Sequence, residues 1–278
     1  MFTARKFFNS GLVAVPVIAA ATLTNQKSAP IARCNEDHVP TMDYGWSHHG
    51  ALKSFDYASI RRGFQVYRQV CASCHSVKEI SFRNLVGTTH NEDAAKKVAL
   101  SYEGVDGPNY IGEMFGRPAK LSDRIPGPYA NEEQARASNG GAYPPDLSLM
   151  VKARHGGPDY IFALLTGYMD PPEGKVMLPG LHYNPYFPGG AIAMGKQLVD
   201  GQVEYEDGTP ATESQMAKDV ATFLSWTAEP EHDARKLAGL QMMAAILTAL
   251  AITGFYKRFR WSIFKTRKIT YTNNAKRG

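Results

Sequence analysis

Cysteine is scarce. Three thiols in 278 residues exclude a disulfide-stapled fold, and one is left over however the others pair. Acidic residues are missing from both ends: 1–33 hold four basic residues (Arg5, Lys6, Lys27, Arg33) and 257–278 hold eight, with no Asp or Glu in either. Taking those charges from the formal +5 leaves 34–256 at −7. The basic balance is confined to the tails, which argues against a nucleic-acid-binding surface on the body. Strand-like alternation is nearly absent, and no internal repeat is evident. At 44% hydrophobic residues the chain is too apolar for a disordered polypeptide.

Long apolar runs are also rare, and the exception is informative. Leu237 to Tyr256 is a 20-residue stretch whose most polar member is Gln241. At about 1.5 Å per residue it spans roughly 30 Å, the thickness of a bilayer's hydrocarbon core. Glu229, Glu231 and Asp233 precede it, and Lys257, Arg258 and Arg260 follow. That charge step orients a single transmembrane helix with its C-terminus on the cytoplasm-like or matrix-like side, and Tyr256 and Trp261 suit interfacial anchors. At the other end, a basic stretch precedes an apolar segment, Gly11–Leu23, of only 13 residues interrupted by Pro16. This reads as a targeting or sorting segment over 1–34, with Ala20–Ala21 and Ser28–Ala29 both suited to cleavage. Cys34 is either an isolated thiol or part of the processing region, and reads as having no chemical role.

The body, 35–236, shows three helical signals. Asp56 is a candidate N-cap for a helix with Ile60, Phe64, Tyr67 and Cys71 on one face. A second helix is expected near Asp159–Gly167, with Tyr160, Ile161, Leu164 and Leu165 apolar. A third is expected over Thr212–Trp226, where Thr212 and Gln215 resemble a capping box. Between them, 104–145 and 170–210 are rich in Gly, Pro, Asn and Tyr. Loops of that length need something to organise them, and a large cofactor would do so.

Cys71-Ala72-Ser73-Cys74-His75 supplies the cofactor. C-x-x-C-H is the attachment signature of haem c: two thiols one turn apart reach the porphyrin vinyl groups, and the next imidazole reaches the iron. A zinc site would need four ligands and no second Cys/His pair is at hand. A thioredoxin-like pair would need a βαβ context. The sixth iron ligand is open on spacing alone. Met114, Met150, Met169, Met177, Met194 and Met216 follow the motif; Met216 and Met150 read as core, and Met194 lies in a Gly-rich loop able to approach a flat macrocycle. A Met ligand suits electron transfer, whereas an open iron would suit a membrane-anchored haem enzyme such as a peroxidase. Arg154 could meet a haem propionate, His155 reads as surface, and Glu204, Glu206 and Asp207 read as a solvated acidic run.

These segments together resemble the cytochrome c1 family over about 41–270. The resemblance rests on SIRRGFQVYRQVCASCHS at 59–76, GEMFGRPAKLSDR at 112–124, NGGAYPPDLSLMVKARHGG at 139–157, LHYNPYFPGGAIAM at 181–194, VEYEDGTPAT at 203–212 and MAKDVATFLSWTAEPE at 216–231. It implies one haem c attached through Cys71 and Cys74, with His75 and Met194 as iron ligands. It places Arg154 at a propionate and Pro144–Ser148, including Pro145, along the haem crevice. The implied fold is mainly α: a cytochrome c-like haem domain over 35–236 with long loop insertions, a transmembrane helix over 237–256 and a basic matrix-side tail over 257–278. The implied role is electron transfer within the respiratory bc1 complex, from a Rieske iron–sulfur protein to soluble cytochrome c, beside cytochrome b and other subunits in a dimeric assembly. The isolated subunit would not be an enzyme. The implied location is the mitochondrial inner membrane, with the haem domain in the intermembrane space.

Overall fold

The computed structural model describes residues 38–269; the expected targeting segment 1–34, Cys34 and the end of the basic tail lie outside them. The chain is mainly helical, as expected. Helices α1 (Tyr57–Gln69), α2 (Glu92–Leu100), α3 (Glu132–Ser138), α4 (Met150–Ala153), α5 (Pro158–Thr166), α6 (Glu213–Ala228) and α7 (His232–Thr266) follow one another, with two small antiparallel ladders between them.

The core forms where α1 crosses α6. Asp56 caps α1 by accepting from the Ala58 and Ser59 N–H groups at 3.0 and 3.3 Å, and Ile60, Phe64 and Tyr67 are buried at helical spacing. On α6 burial is nearly continuous from Met216 to Ala228. Phe223 sits with its ring centroid 5.6 Å from both Phe64 and Tyr67, and 5.9 Å from Trp226. The crossing is close because Gly63 faces α6: a Cβ there would lie 2.1 Å from the Asp219 carbonyl oxygen.

Beside that crossing lies a buried charge. Asp219 is fully buried, and its carboxylate accepts from Arg62 Nε at 2.8 Å, Ser59 Oγ at 2.7 Å and Gln215 Nε2 at 3.0 Å. This corrects the expected capping box. Thr212 does accept from the Gln215 N–H, but the Thr212 N–H goes to the Pro210 carbonyl, so the Gln215 side chain turns to Asp219 instead of reaching back. The acidic run is likewise more than a solvated face. Tyr205 is buried, Asp207 pairs with Arg62 at 2.9 Å, and Gln65 Nε2 donates to the Glu204 carbonyl at 2.6 Å.

The long connecting segments contain structure the sequence reading did not place. Strands β1 (Glu103–Asp106) and β2 (Phe115–Pro118) form an antiparallel ladder, locked by Arg117, which bridges Asp106 at 2.5 Å and Asp123 at 2.6 Å. Strands β3 (His182–Tyr183) and β4 (Ala191–Ile192) pair antiparallel in the second segment. Chain-internal ion pairs and ladders therefore organise these loops in part, where a cofactor alone was expected to.

Helix α7 is the one described helix long and apolar enough to cross a membrane. Its 35 residues make it about 52 Å long at roughly 1.5 Å per residue, so it begins before the 237–256 run and continues past it. The acidic residues ahead of the run are built into the junction. Asp233 accepts from the Phe55 N–H and from the Tyr57 hydroxyl at 3.0 Å, Glu229 pairs with Lys152 at 3.0 Å, and Lys236 donates to the carbonyls of His48, Gly50 and Lys53 at 2.7–2.9 Å. The helix is thus tied to the chain's first described loop on the residues immediately before the apolar run starts.

Candidate functional site

The motif sits where α1 runs out. After Gln69 the chain tightens into a single 3₁₀ turn, Cys71–Ser73, and the Cys71 carbonyl accepts from both the Cys74 and His75 N–H groups, at 3.1 and 2.8 Å. This keeps one helical turn between Cys71 and Cys74, so both thiols and the imidazole face the same space. That space is a cavity of about 610 Å³, within the range that encloses a small-molecule cofactor. Cys71, Cys74, His75, Pro145, Arg154 and Met194 all line it, so the structure brings together all six residues singled out in the sequence.

His75 is fixed in orientation. Its Nδ1 lies 2.8 Å from the Pro145 carbonyl oxygen. A carbonyl only accepts, so the proton is on Nδ1 and the Nε2 lone pair is left for a metal. Burial lowers the imidazole below its ordinary value, against the opposing influence of the Pro145 carbonyl and Asp146, which favours the neutral, ligating form. The contribution of Pro145 is thus a main-chain oxygen, which no reading of side chains could have found.

Asp146 holds Pro145 in place. Its carboxylate accepts from Ser76 Oγ at 2.7 Å, the Lys78 N–H at 2.8 Å and the Ser148 N–H at 2.9 Å, and the Leu147 N–H donates to the Ser76 carbonyl at 2.8 Å. The Pro-Pro-Asp-Leu-Ser segment is thereby clamped to the chain just after the motif. Burial pushes the Asp146 carboxyl up, but hydrogen bonds from Lys78, Ser148 and Ser76 outweigh it and leave the group below its ordinary value. A depressed carboxyl stabilises the fold above its unfolded value of about 4 and loses that contribution as pH falls through the folded one. An Asp146→Asn variant is therefore expected to be less stable than the parent at neutral pH, with the gap closing below about pH 4. Thermal melts of both proteins across pH 2–7 test this, and a pH-independent gap would refute it.

The six candidate methionines separate cleanly. Met216 is fully buried in the core, Met114 is exposed beside β2, and Met169 and Met177 line a different cavity of about 540 Å³. Only Met150 and Met194 of the six line the cavity with His75. In the Gly-rich loop, Gly189 and Gly190 adopt φ of 78° and 70°, which reverses the chain ahead of β4, and Ala193, Met194 and Gly195 line the cavity. Arg154 stands exposed at the rim, its Nη1 donating to the Ala153 carbonyl. His155 is exposed and is not among the lining residues.

The donor set fits haem c. The cavity wall is predominantly apolar, with Leu147, Leu164, Ile192 and Leu224 among its residues, and its polar groups include two thiols, one oriented imidazole, the Met194 thioether and a rim guanidinium. Burial pushes the Cys71 thiol up to about 12, so it meets a cofactor as the neutral thiol. Among the described residues no cluster of three or more His, Cys, Asp or Glu side chains could hold a bare metal ion.

Comparison with known proteins agrees with this chemistry. The profile of the Cytochrome C1 family matches residues 46–264. The chain belongs to the cytochrome c1 family. Its relatives include "Cytochrome c1 1, heme protein, mitochondrial" of Arabidopsis thaliana, 56% identical over 263 residues, covering 94% of this chain and 86% of the relative. "Cytochrome c1, heme protein, mitochondrial" of Kluyveromyces lactis is 53% identical over 264 residues, covering 94% and 90%. "Cytochrome b-c1 complex catalytic subunit, mitochondrial" of Candida albicans is 55% identical over 267 residues, covering 95% and 93%. As a member of the cytochrome c1 family the chain has a haem domain on the α1–α6 core and one long apolar C-terminal helix.

Proposed function

We propose that this chain is the haem-bearing electron-transfer subunit of a mitochondrial cytochrome b-c1 complex, carrying single electrons from a Rieske iron–sulfur protein to soluble cytochrome c. The observation that carries the reading is the joint presence of the Cys71 and Cys74 thiols, the oriented His75 ring and the Met194 thioether around one apolar cavity. Bound haem c supplies a one-electron iron couple. Cys71 and Cys74 would hold it covalently, His75 Nε2 and the Met194 sulfur would ligate its iron, and Arg154 would neutralise a propionate at the rim. The apolar wall would favour the less charged state of a bound haem. A His75/Met194 ligand pair would leave no position on the iron for a small substrate, which disfavours peroxidase chemistry.

Helix α7 supports a single-pass anchor in the mitochondrial inner membrane, with the body in the intermembrane space and the basic tail in the matrix. The relatives are named as mitochondrial proteins, and the charge step across the apolar run has the required sign. The acidic body suits electrostatic steering of a basic cytochrome c, and we place the docking face around Ser73 and the 198–207 segment, where Glu204 and Glu206 are exposed. Cytochrome b and the remaining subunits of a dimeric complex are the expected partners within the membrane.

The test is optical. The oxidised, membrane-extracted protein should show the weak Fe–S(Met) band at the red edge of its spectrum, and Met194→Leu should abolish it while leaving the haem covalently attached. If the band survives in Met194→Leu, Met150 becomes the ligand and the assignment fails. A high-spin parent spectrum with ready cyanide binding would overturn the electron-carrier reading itself.

A further inference from the structure

Met194 lies two residues beyond the end of β4, outside either ladder, yet its main chain is held. The Tyr168 hydroxyl lies 2.9 Å from the Met194 carbonyl oxygen. A carbonyl oxygen only accepts, so the hydroxyl is the donor. Tyr168 follows α5 after a single residue, Gly167, which is closely packed. A Cβ on Gly167 would lie 2.5 Å from both the Ala163 carbonyl oxygen and the Tyr186 ring, so the helix end packs against the loop with no room to slide.

A second link runs parallel to the first. Asn184 is fully buried; its Nδ2 donates to the Leu164 carbonyl at 2.8 Å, its Oδ1 accepts from the Tyr186 N–H at 3.1 Å, and its own N–H donates to the Gly190 carbonyl at 3.1 Å. Helix α5 packs on α6, and Leu164 and Leu165 line the cavity. The core is therefore connected to the methionine loop at two points, through Asn184 at the β3–β4 turn and through Tyr168 at Met194 itself.

We infer that Tyr168 is a positioning residue for the Met194 axial ligand, its O–H to Met194 carbonyl bond holding the thioether on the iron. The inference rests on the assignment of Met194 proposed above. A thioether is a weak ligand for ferric iron, so fixing its main chain lowers the freedom gained when the sulfur leaves. Removing one such hydrogen bond is worth about 1–2 kcal/mol, roughly a 5- to 30-fold change in the equilibrium between bound and displaced sulfur.

The experiment measures displacement of the native ligand by imidazole in the oxidised, full-length, haem-loaded protein, following the red-edge band, together with the reduction potential. Tyr168→Phe keeps the ring and removes only the hydroxyl; it should raise the apparent imidazole affinity roughly 5- to 30-fold and lower the potential, while the reduced spectrum stays unchanged. Tyr168→His, which offers a different N–H donor, should fall between the two and serves if the Phe variant does not accumulate. Lys175→Gln removes a bond to the same loop, Lys175 Nζ to the Gly189 carbonyl at 2.9 Å, and should stay close to the parent. Equal effects of Tyr168→Phe and Lys175→Gln would mean general loop loosening and would overturn the inference, as would an unchanged affinity and potential in Tyr168→Phe. Met194→Leu run alongside separates the two readings: if it leaves the band intact, the ligand assignment and this inference both fail; if it abolishes the band while Tyr168→Phe is silent, only the inference fails.

Discussion

A Gly63→Ala variant is expected to lose about 3 kcal/mol of stability or more, although alanine is the better helix former. Propensity alone would favour Ala by about 1 kcal/mol in a helix interior. The opposing effect is larger. The added methyl would stand 2.1 Å from the Asp219 carbonyl oxygen, 2.6 Å from its carbon and 2.7 Å from Phe223 Cβ. Two of those atoms are main chain of α6, so no rotamer change relieves the contact and the helices must move apart along the crossing. Overpacking of a close-packed core costs roughly 1–3 kcal/mol where side chains can adjust, and more where only backbone can. Because α1 leads directly into Cys71, the displacement should also reach the site. The measurement is the thermal midpoint of the membrane-extracted, haem-loaded protein, read at the haem absorption. A midpoint equal to or above the parent's would refute the steric account of this glycine.

Asp219→Ala should be of similar severity for an electrostatic reason. The carboxylate is fully buried while Arg62 is only partly exposed, and Asp219 collects hydrogen bonds from Ser59, Arg62 and Gln215. Its removal strands the Ser59 and Gln215 donors and leaves Arg62 only its exposed partner Asp207, and breaking such a buried pair costs about 3–5 kcal/mol. For a domain of this size that corresponds to roughly 6–20 °C in Tm. Asp207, which also meets Arg62 but is exposed at the surface, offers a contrast: Asp207→Ala should cost about 1 kcal/mol or less. Comparable losses in the two variants would refute burial as the source of the difference. Since Gly63 touches the Asp219 main chain, Gly63→Ala and Asp219→Ala should not add in the double variant.

The elements that could be read in advance share a property. Helices α1, α5 and α6 each carry an apolar face at helical spacing; Asp56 and Thr212 cap two of them with their own side chains, and Pro158 opens the third. Their determinants lie within a few residues of each other. Helices α2 and α3 were legible by the same rule, with Asn91 and Asn131 capping them and two acidic residues in each first turn. Their apolar faces, however, are too narrow to give a clear helical period, with only Ala135 buried on α3. The β1–β2 ladder had no such signal. None of its strand residues is buried, and it is held by Arg117 reaching Asp106 and Asp123, a pairing that exists only once the chain has turned back.

By itself the sequence determined the haem c chemistry and the presence of one apolar run with a charge step, because an attachment motif and an apolar run are written in residue types and spacing, whereas Met194 and Pro145 entered only through the family resemblance. The tertiary structure alone decided how those groups are held. The oxygen that orients His75 belongs to the Pro145 main chain, 70 residues away, and the bond that secures Met194 comes from Tyr168 across 26 residues. Which methionines reach the cavity, and why Gly63 must be glycine, likewise follow from α1, α5 and α6 packing together. Such contacts have no local pattern, since a backbone carbonyl is present at every residue and only the fold selects which one a side chain meets.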